Sequence, residues 1–244
     1  MTFDRNNFEQ EKWRFRELQG EDNGLTTKAL QFVIESDLYN YAYQWTWCDL
    51  PILQLPQDVL VTQEIINKCE PTVIIETGVA WGGGIALYAS SMDIYGGRLI
   101  IGVDLNLADS VVKSITDIRF KTPIELIRGS STSREVVSYV RSLIGPEDRV
   151  MVVLDSNHTH EHVLEELLLY APLVNKGQYC IVSDTIIEFI PEQTHRPRAW
   201  GHGNNPMTAV REFLTANTNF LSDREIDARI LMSFNPQGYL QRIT

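Results

Sequence analysis

The chain has 244 residues and a formal net charge of −11, with 43% hydrophobic and 22% charged residues. That length allows one large α/β domain with an additional segment. The acidic balance, with no basic cluster to offset it, argues against nucleic acid or an anionic membrane as the main partner, because phosphates would be repelled. Cys48, Cys69 and Cys180 are odd in number, widely spaced and without zinc-ligand spacing. They are expected to be buried, reduced thiols of a cytoplasmic protein. No apolar run approaches membrane-spanning length, and the polar N-terminus lacks the apolar centre of a signal peptide.

In chain order, residues 6–18 predict a peripheral helix, and residues 25–43 carry a helical rhythm through Leu30, Val33, Ile34 and Leu38. An aromatic cluster from Tyr39 to Trp47 follows, fit either to line a substrate pocket or to cover a sheet. Pro51 and Pro56 mark a link. Residues 1–57 are expected to form a helical extension and residues 58–244 the main domain, which opens on a helix over 58–69.

Thr72–Glu76 is an unalternating, β-branched run that predicts a strand buried on both faces. It runs into Glu76, Thr77 and Gly78, and Gly82, Gly83 and Gly84 precede the helical stretch 85–91. Glycines at a strand-to-helix turn let the backbone approach a ligand closely. The spacing is neither Gly-x-Gly-x-x-Gly nor a phosphate-binding loop. An acid in the turn disfavours pyrophosphate and suits a cofactor carrying an ammonium group.

Further strands are expected at 98–104, ending in Asp104, at 124–127, at 150–154 and at 178–182, with helices over 134–143, after His162 and over 207–214. The fold class is therefore α/β, a doubly wound and mostly parallel sheet. Residues 229–234 and 239–243 predict an antiparallel C-terminal edge hairpin around Asn235–Gly238. Residues 186–206 form a long polar loop, a candidate lid.

Acids follow four of the strands on one sheet edge, where open α/β sheets bind ligands. Glu76 and Asp104, with glycines between them, fit S-adenosylmethionine, with Asp104 accepting from the ribose hydroxyls. Asp155 and Asp184 fit a hard divalent cation such as Mg²⁺, which would orient an acceptor hydroxyl and lower its pKa. His158, three residues after Asp155, is the candidate base, since imidazole titrates near neutral pH. The plainer alternatives are a helix cap for Asp155, a cap or ion-pair partner for Asp184, and surface positions for His160 and His162.

Glu76-Thr-Gly-Val-Ala-Trp-Gly-Gly-Gly, Gly129-Ser-Ser, Leu154-Asp-Ser-Asn-His-Thr-His-Glu-His-Val-Leu, Val182-Ser-Asp-Thr, Gly203-Asn-Asn-Pro and Asn235-Pro-Gln-Gly-Tyr-Leu together resemble the cephalosporin hydroxylase / rhamnosyl O-methyltransferase family, from about Trp47 onward. The resemblance implies a Rossmann-like S-adenosylmethionine methyltransferase fold and an O-methyltransferase acting on a sugar hydroxyl of a glycan, glycolipid or glycosylated natural product. It also implies a homo-oligomer. It assigns Glu76, Gly78, Gly82, Asp104, Ser130 and Asp155 to the cofactor, His158 and Asp155 to catalysis, and Asp155, Asp184 and Ser183 to the metal. Ser183 departs from the pattern: metal-dependent relatives carry Glu there, so a charge is lost and metal affinity should fall. Two other readings stay open. One is a hydroxylase-like tailoring enzyme, although the sequence has no two-His, one-carboxylate iron signature. The other is a cofactor-binding homologue without catalysis.

Overall fold

The computed structural model describes residues 4–244. Helix α1 (Arg5–Glu21) is capped by the Asp4 carboxylate, and α2 (Asn23–Asp37) by that of Asp22. A 3₁₀ turn (Tyr41–Gln44) leads to the small hairpin β1 (Thr46–Trp47) and β2 (Leu50–Pro51). The two residues between its arms, Cys48 and Asp49, both have positive φ, 49° and 65°, the backbone of a tight two-residue hairpin turn. This turn leaves Cys48 exposed rather than buried as the sequence led us to expect; only Cys180 is buried, Cys69 is half-buried, and all three are free thiols.

From α3 (Pro56–Cys69) onward, strand and helix alternate: β3 (Val73–Thr77), α4 (Gly83–Met92), β4 (Leu99–Asp104), α5 (Asp109–Asp117), β5 (Ile124–Arg128), α6 (Arg134–Ser142), β6 (Val150–Leu154), α7 (His160–Tyr170) and β7 (Tyr179–Val182). Then come α8 (Pro206–Ala216), β8 (Phe220–Ser222), α9 (Arg224–Arg229) and β9 (Tyr239–Arg242). The seven-stranded sheet has the order β5-β4-β3-β6-β7-β9-β8. The first five strands are parallel, and β9 pairs antiparallel with both β7 and β8.

Every residue of β3, β6 and β7 is buried, which explains their unbroken apolar runs: helices cover both faces. One core lies under α3, α4 and α5 and gathers Ile74, Ile85, Ile100, Ile115 and Met151. The other lies under α6, α7 and α8 and gathers Ile75, Val140, Val152, Leu167 and Phe213. At the amino ends of the strands Asp148 takes two hydrogen bonds from Arg98, at 2.5 and 2.7 Å, and one from Thr72 at 2.8 Å.

The mostly parallel sheet and its antiparallel edge match the reading of the sequence. The outer arm of that edge does not: it is Phe220–Ser222, not residues 229–234. Residues 230–234 are irregular because their polar groups point elsewhere, Phe234 donating its N–H to Asp58 and accepting from the N–H of Ile186. Helix α5, with Val111 and Ile115 buried, was passed over in the sequence. Within the presumed polar loop, residues 185–188 form a 3₁₀ turn whose first three side chains are buried.

Candidate active site

Four acids stand at the carboxyl ends of four adjacent strands, β4, β3, β6 and β7. Glu76 is almost fully buried. One carboxyl oxygen accepts from the Tyr88 hydroxyl at 2.8 Å; the other has no partner among the described residues. Burial, opposed by the Tyr88 hydrogen bond and assisted by Asp104, pushes its pKa up to about 8. Such a carboxyl takes on charge when a cation arrives beside it.

The turn after β3 is shaped by glycine. Gly78 has φ +88°, and a Cβ there would stand 2.0 Å from the carbonyl oxygen of Asp155, so the turns after β3 and β6 touch backbone to backbone. Gly82, φ +87°, begins α4 with no side-chain cap, which leaves the first N–H groups of that helix for another acceptor. Asp104 accepts from the N–H of Ala80 at 3.0 Å and of Asn106 at 2.7 Å, tying the glycine turn to the end of β4.

Asp155, His158 and Asp184 converge: one ligand atom from each lies within 4.8 Å of the others. The adjacency of β6 and β7 brings the two aspartates together, and the short turn after β6 brings the imidazole. His158 Nε2 is 3.3 Å from Asp184 Oδ2, and its ring meets Trp200 edge to face at 4.8 Å. Burial and then the neighbouring Asp184 and Glu76 hold the Asp155 carboxyl well above the usual carboxylate range, against a hydrogen bond from Gln54. An oxygen-rich set with such mutual repulsion fits a hard divalent cation. Two carboxylates and one imidazole are not the two-imidazole, one-carboxylate set of oxygen-activating iron sites.

The cavity over this cluster is about 500 Å³, within the range of small-molecule sites. Glu76, Gly78, Asp155, His158 and Asp184 line it. Gly82, Asp104 and Ser130 stand beside it rather than in its wall; the Ser130 hydroxyl lies 3.3 Å from that of Thr132. Ser183 is also outside the wall, its hydroxyl buried without a partner among the described residues. Asp184 lines the cavity and Ser183 does not. The third side chain that the fold brings to the two aspartates is His158.

The other two histidines of the stretch are structural. His160 bonds Thr208 at 2.8 Å and lies 3.2 Å from Glu212, joining α7 to α8. His162 lies near the hydroxyls of Ser131 and Ser156 and the buried Glu166; the hydrogen bond with Glu166 raises its pKa.

Three contributors carried no signal in the sequence. Gln54 and Trp200 sit in segments without periodicity. Asp37, at the end of α2, accepts from Gln193 at 2.7 Å and from Arg196 at 2.6 Å, and lies 3.0 Å from His195 Nε2. It clasps the segment from Phe189 to Trp200 over the cavity. The far end of that segment is pinned at Glu188, which accepts from Gly203 at 2.9 Å and Asn205 at 2.6 Å. The aromatic cluster divides: Tyr43 lines the cavity, while Trp47 packs on the core and donates to Ser90 at 2.8 Å. Asp37→Ala removes three partners at once. The clasped segment is expected to become a preferred site of limited proteolysis while the melting temperature changes little; cleavage no faster than in the wild type would show that the segment is held by other contacts.

Comparison with known proteins agrees with this architecture. The family model for rhamnosyl O-methyltransferase/CmcI matches residues 39–243. A rhamnosyl O-methyltransferase of Mycobacterium leprae is 29% identical over 204 residues, 81% of this chain and 82% of that protein. One of Mycobacterium tuberculosis is 26% identical over 182 residues, 74% and 71% of the two chains. Among solved structures, CmcI described with Mg and S-adenosylmethionine superposes with a TM-score of 0.57 at 20% identity, covering 83% of this chain and 78% of that one. The O-methyltransferase TomG of Streptomyces achromogenes gives 0.52 at 16%, covering 97% and 99%. With the family model spanning most of its length, the chain belongs to the rhamnosyl O-methyltransferase/CmcI family.

Proposed function

We propose that the protein is an S-adenosylmethionine-dependent O-methyltransferase acting on a sugar hydroxyl, assisted by a divalent cation such as Mg²⁺. The observation that carries this reading is the convergence of Asp155, His158 and Asp184 beside the glycine turn after β3. Relatives named for methyl transfer to rhamnose, and structures named with Mg and this cofactor, support it. Residues 58–244 are the methyltransferase domain, and residues 1–57 an extension whose helix α2 supplies one wall of the cavity.

Glu76 would hold the ammonium of the cofactor's methionine end, the N–H groups at the start of α4 its carboxylate, and Asp104 the ribose hydroxyls. Gly78 and Gly82 would provide the close backbone approach, and Ser130 and Asp155 would complete the cofactor-binding set. Asp155 and Asp184 would hold the cation; Ser183 does not line the cavity. When bound, the cofactor supplies an electrophilic methyl group and the cation a Lewis acid that lowers the pKa of the acceptor hydroxyl. His158 Nε2 takes the hydroxyl proton, and the neighbouring Asp184 stabilises the imidazolium. The clasped segment lines the cavity beside these residues, and the less water it admits the stronger each of these electrostatic contacts becomes. The acceptor is a glycan, glycolipid or glycosylated natural product, and the enzyme acts in the cytoplasm as a homo-oligomer, a state consistent with the exposed Trp13 and Phe15 on α1.

The test is calorimetric titration with S-adenosylhomocysteine in two buffers of different ionisation enthalpy. At pH 7 Glu76, with its pKa near 8, is mostly neutral, and the ligand's ammonium favours its ionised form. Binding is therefore expected to release close to one proton and to tighten as pH rises toward 8, and Glu76→Gln to abolish the release. Absence of binding would end the methyltransferase reading; binding without proton release would end only the role of Glu76.

A further inference from the structure

The sequence motif Asn235-Pro-Gln-Gly-Tyr-Leu has no atom in the chemistry above, yet it lies directly behind Asp184. Asp184 has φ +58° and ψ +25°, a left-handed conformation that a residue with a side chain adopts at a cost unless its surroundings impose it. The surroundings here are one turn, Ser233–Gly238. The side-chain oxygen of Asn235 accepts the N–H of Asp184 itself at 3.0 Å. The carbonyl of Pro236 accepts the Thr185 hydroxyl at 2.7 Å. The carbonyls of Phe234 and Gly238 accept the N–H groups of Ile186 at 3.0 Å and Val182 at 2.8 Å. Gly238 packs so close that a Cβ would stand 2.2 Å from the carbonyl oxygen of Val182. Four of the five residues from Val182 to Ile186 are thus bonded to the same turn.

That turn is itself seated on one buried carboxyl. Asp58, near the start of α3 and with no exposed surface, accepts from the Ser233 hydroxyl at 2.5 Å, the Phe234 N–H at 2.8 Å and the Tyr239 hydroxyl at 2.8 Å. Ser233 passes the order on by accepting the N–H of Asn235 at 2.8 Å. A buried polar network with so many members satisfied is rigid.

We infer that the Ser233–Gly238 turn, anchored by Asp58, is the device that holds Asp184 in its left-handed conformation and so aims its carboxylate at Asp155 and His158. Asn235 and Asp58 are positioning residues; neither touches the reacting atoms. The metal arm of the test rests on the proposed function, and the exchange arm does not.

The experiment compares wild type, Asn235→Ala and Asp58→Asn by amide hydrogen exchange without metal, by Mn²⁺ binding followed by electron paramagnetic resonance, and by titration with S-adenosylhomocysteine. The expected result is loss of exchange protection confined to residues 182–186 and 233–238, Mn²⁺ affinity weaker by about 10- to 100-fold, as for partners that orient metal ligands, and unchanged S-adenosylhomocysteine affinity. Wild-type protection over 182–186 in both variants would overturn the inference. So would protection lost throughout β7 and β9 together with cofactor affinity, which marks a core element and not a positioning one. If the wild type binds no Mn²⁺, the metal reading of the site fails, and the exchange data alone decide the inference. Asp58→Asn keeps side-chain volume, so it remains informative should Asn235→Ala not fold.

Discussion

Replacing His158 by alanine is expected to lower kcat for methyl transfer between about 100- and 10,000-fold, the usual contribution of a positioned general base, while S-adenosylhomocysteine affinity stays at the wild-type value. The two readouts separate because His158 belongs to the turn after β6 and the methionine end of the cofactor to the turn after β3. The loss of packing is small: the ring's edge-to-face contact with Trp200 is worth about 0.5–1.5 kcal/mol, too little to unfold a domain of this size. His158→Gln sharpens the comparison. Glutamine is able to donate to Asp184 and to pack on Trp200, but it takes no proton at working pH. A glutamine variant as slow as the alanine variant identifies the proton transfer as the missing function. A glutamine variant with wild-type turnover would remove His158 as the base and leave it a spacer.

The second large effect is expected at Gly78. An alanine there must adopt φ near +88° with its methyl carbon 2.0 Å from the Asp155 carbonyl oxygen. The conformation alone costs about 1–3 kcal/mol, and forcing two backbone turns apart adds a comparable amount. Gly78→Ala is therefore expected to lower the melting temperature by several degrees, at roughly 2–4 °C per kcal/mol in a chain of this length, and to abolish S-adenosylhomocysteine binding. Gly96 is the internal control: its φ is +83°, but nothing lies within 4 Å of the Cβ position. Gly96→Ala carries the conformational cost without the collision and should bind the ligand normally. Equal melting temperatures for the two variants would show that the collision is relieved cheaply.

The parts of this molecule that were legible in the sequence are local ones. The strands β3, β4, β6 and β7 announce themselves because burial on both faces demands unbroken apolar runs, and their acids sit within two residues of the strand ends or at them. The convergence of Asp155, His158 and Asp184 under one cavity with Glu76 was legible to the same extent, because each lies near or just after the carboxyl end of one of these strands. What stayed hidden depends on contacts between distant segments. Asp58 lies 175 residues from Ser233, and its first-turn position in a helix gives an ordinary reason for an acid there. Asp37 ends a helix, and its three partners lie more than 150 residues away. The pairing of β8 with β9 escaped notice because β8 is three residues long and residues 230–234, richer in apolar side chains, resembled the missing arm.

The insertion of β9 between β7 and β8 bears on how the protein is made. As the chain leaves the ribosome, β3 to β7 assemble their parallel core from residues 73–182, but the outer edge of β7 finds no partner until residues 239–242 emerge. During that interval an apolar strand, Tyr-Cys-Ile-Val, presents a bare row of backbone donors and acceptors, the kind of edge that recruits strands from other molecules. Translation pauses or chaperone shortage while residues 183–242 are being made would therefore be paid in aggregated nascent chains, and yield in expression should depend on them more steeply than on the stability of the finished fold.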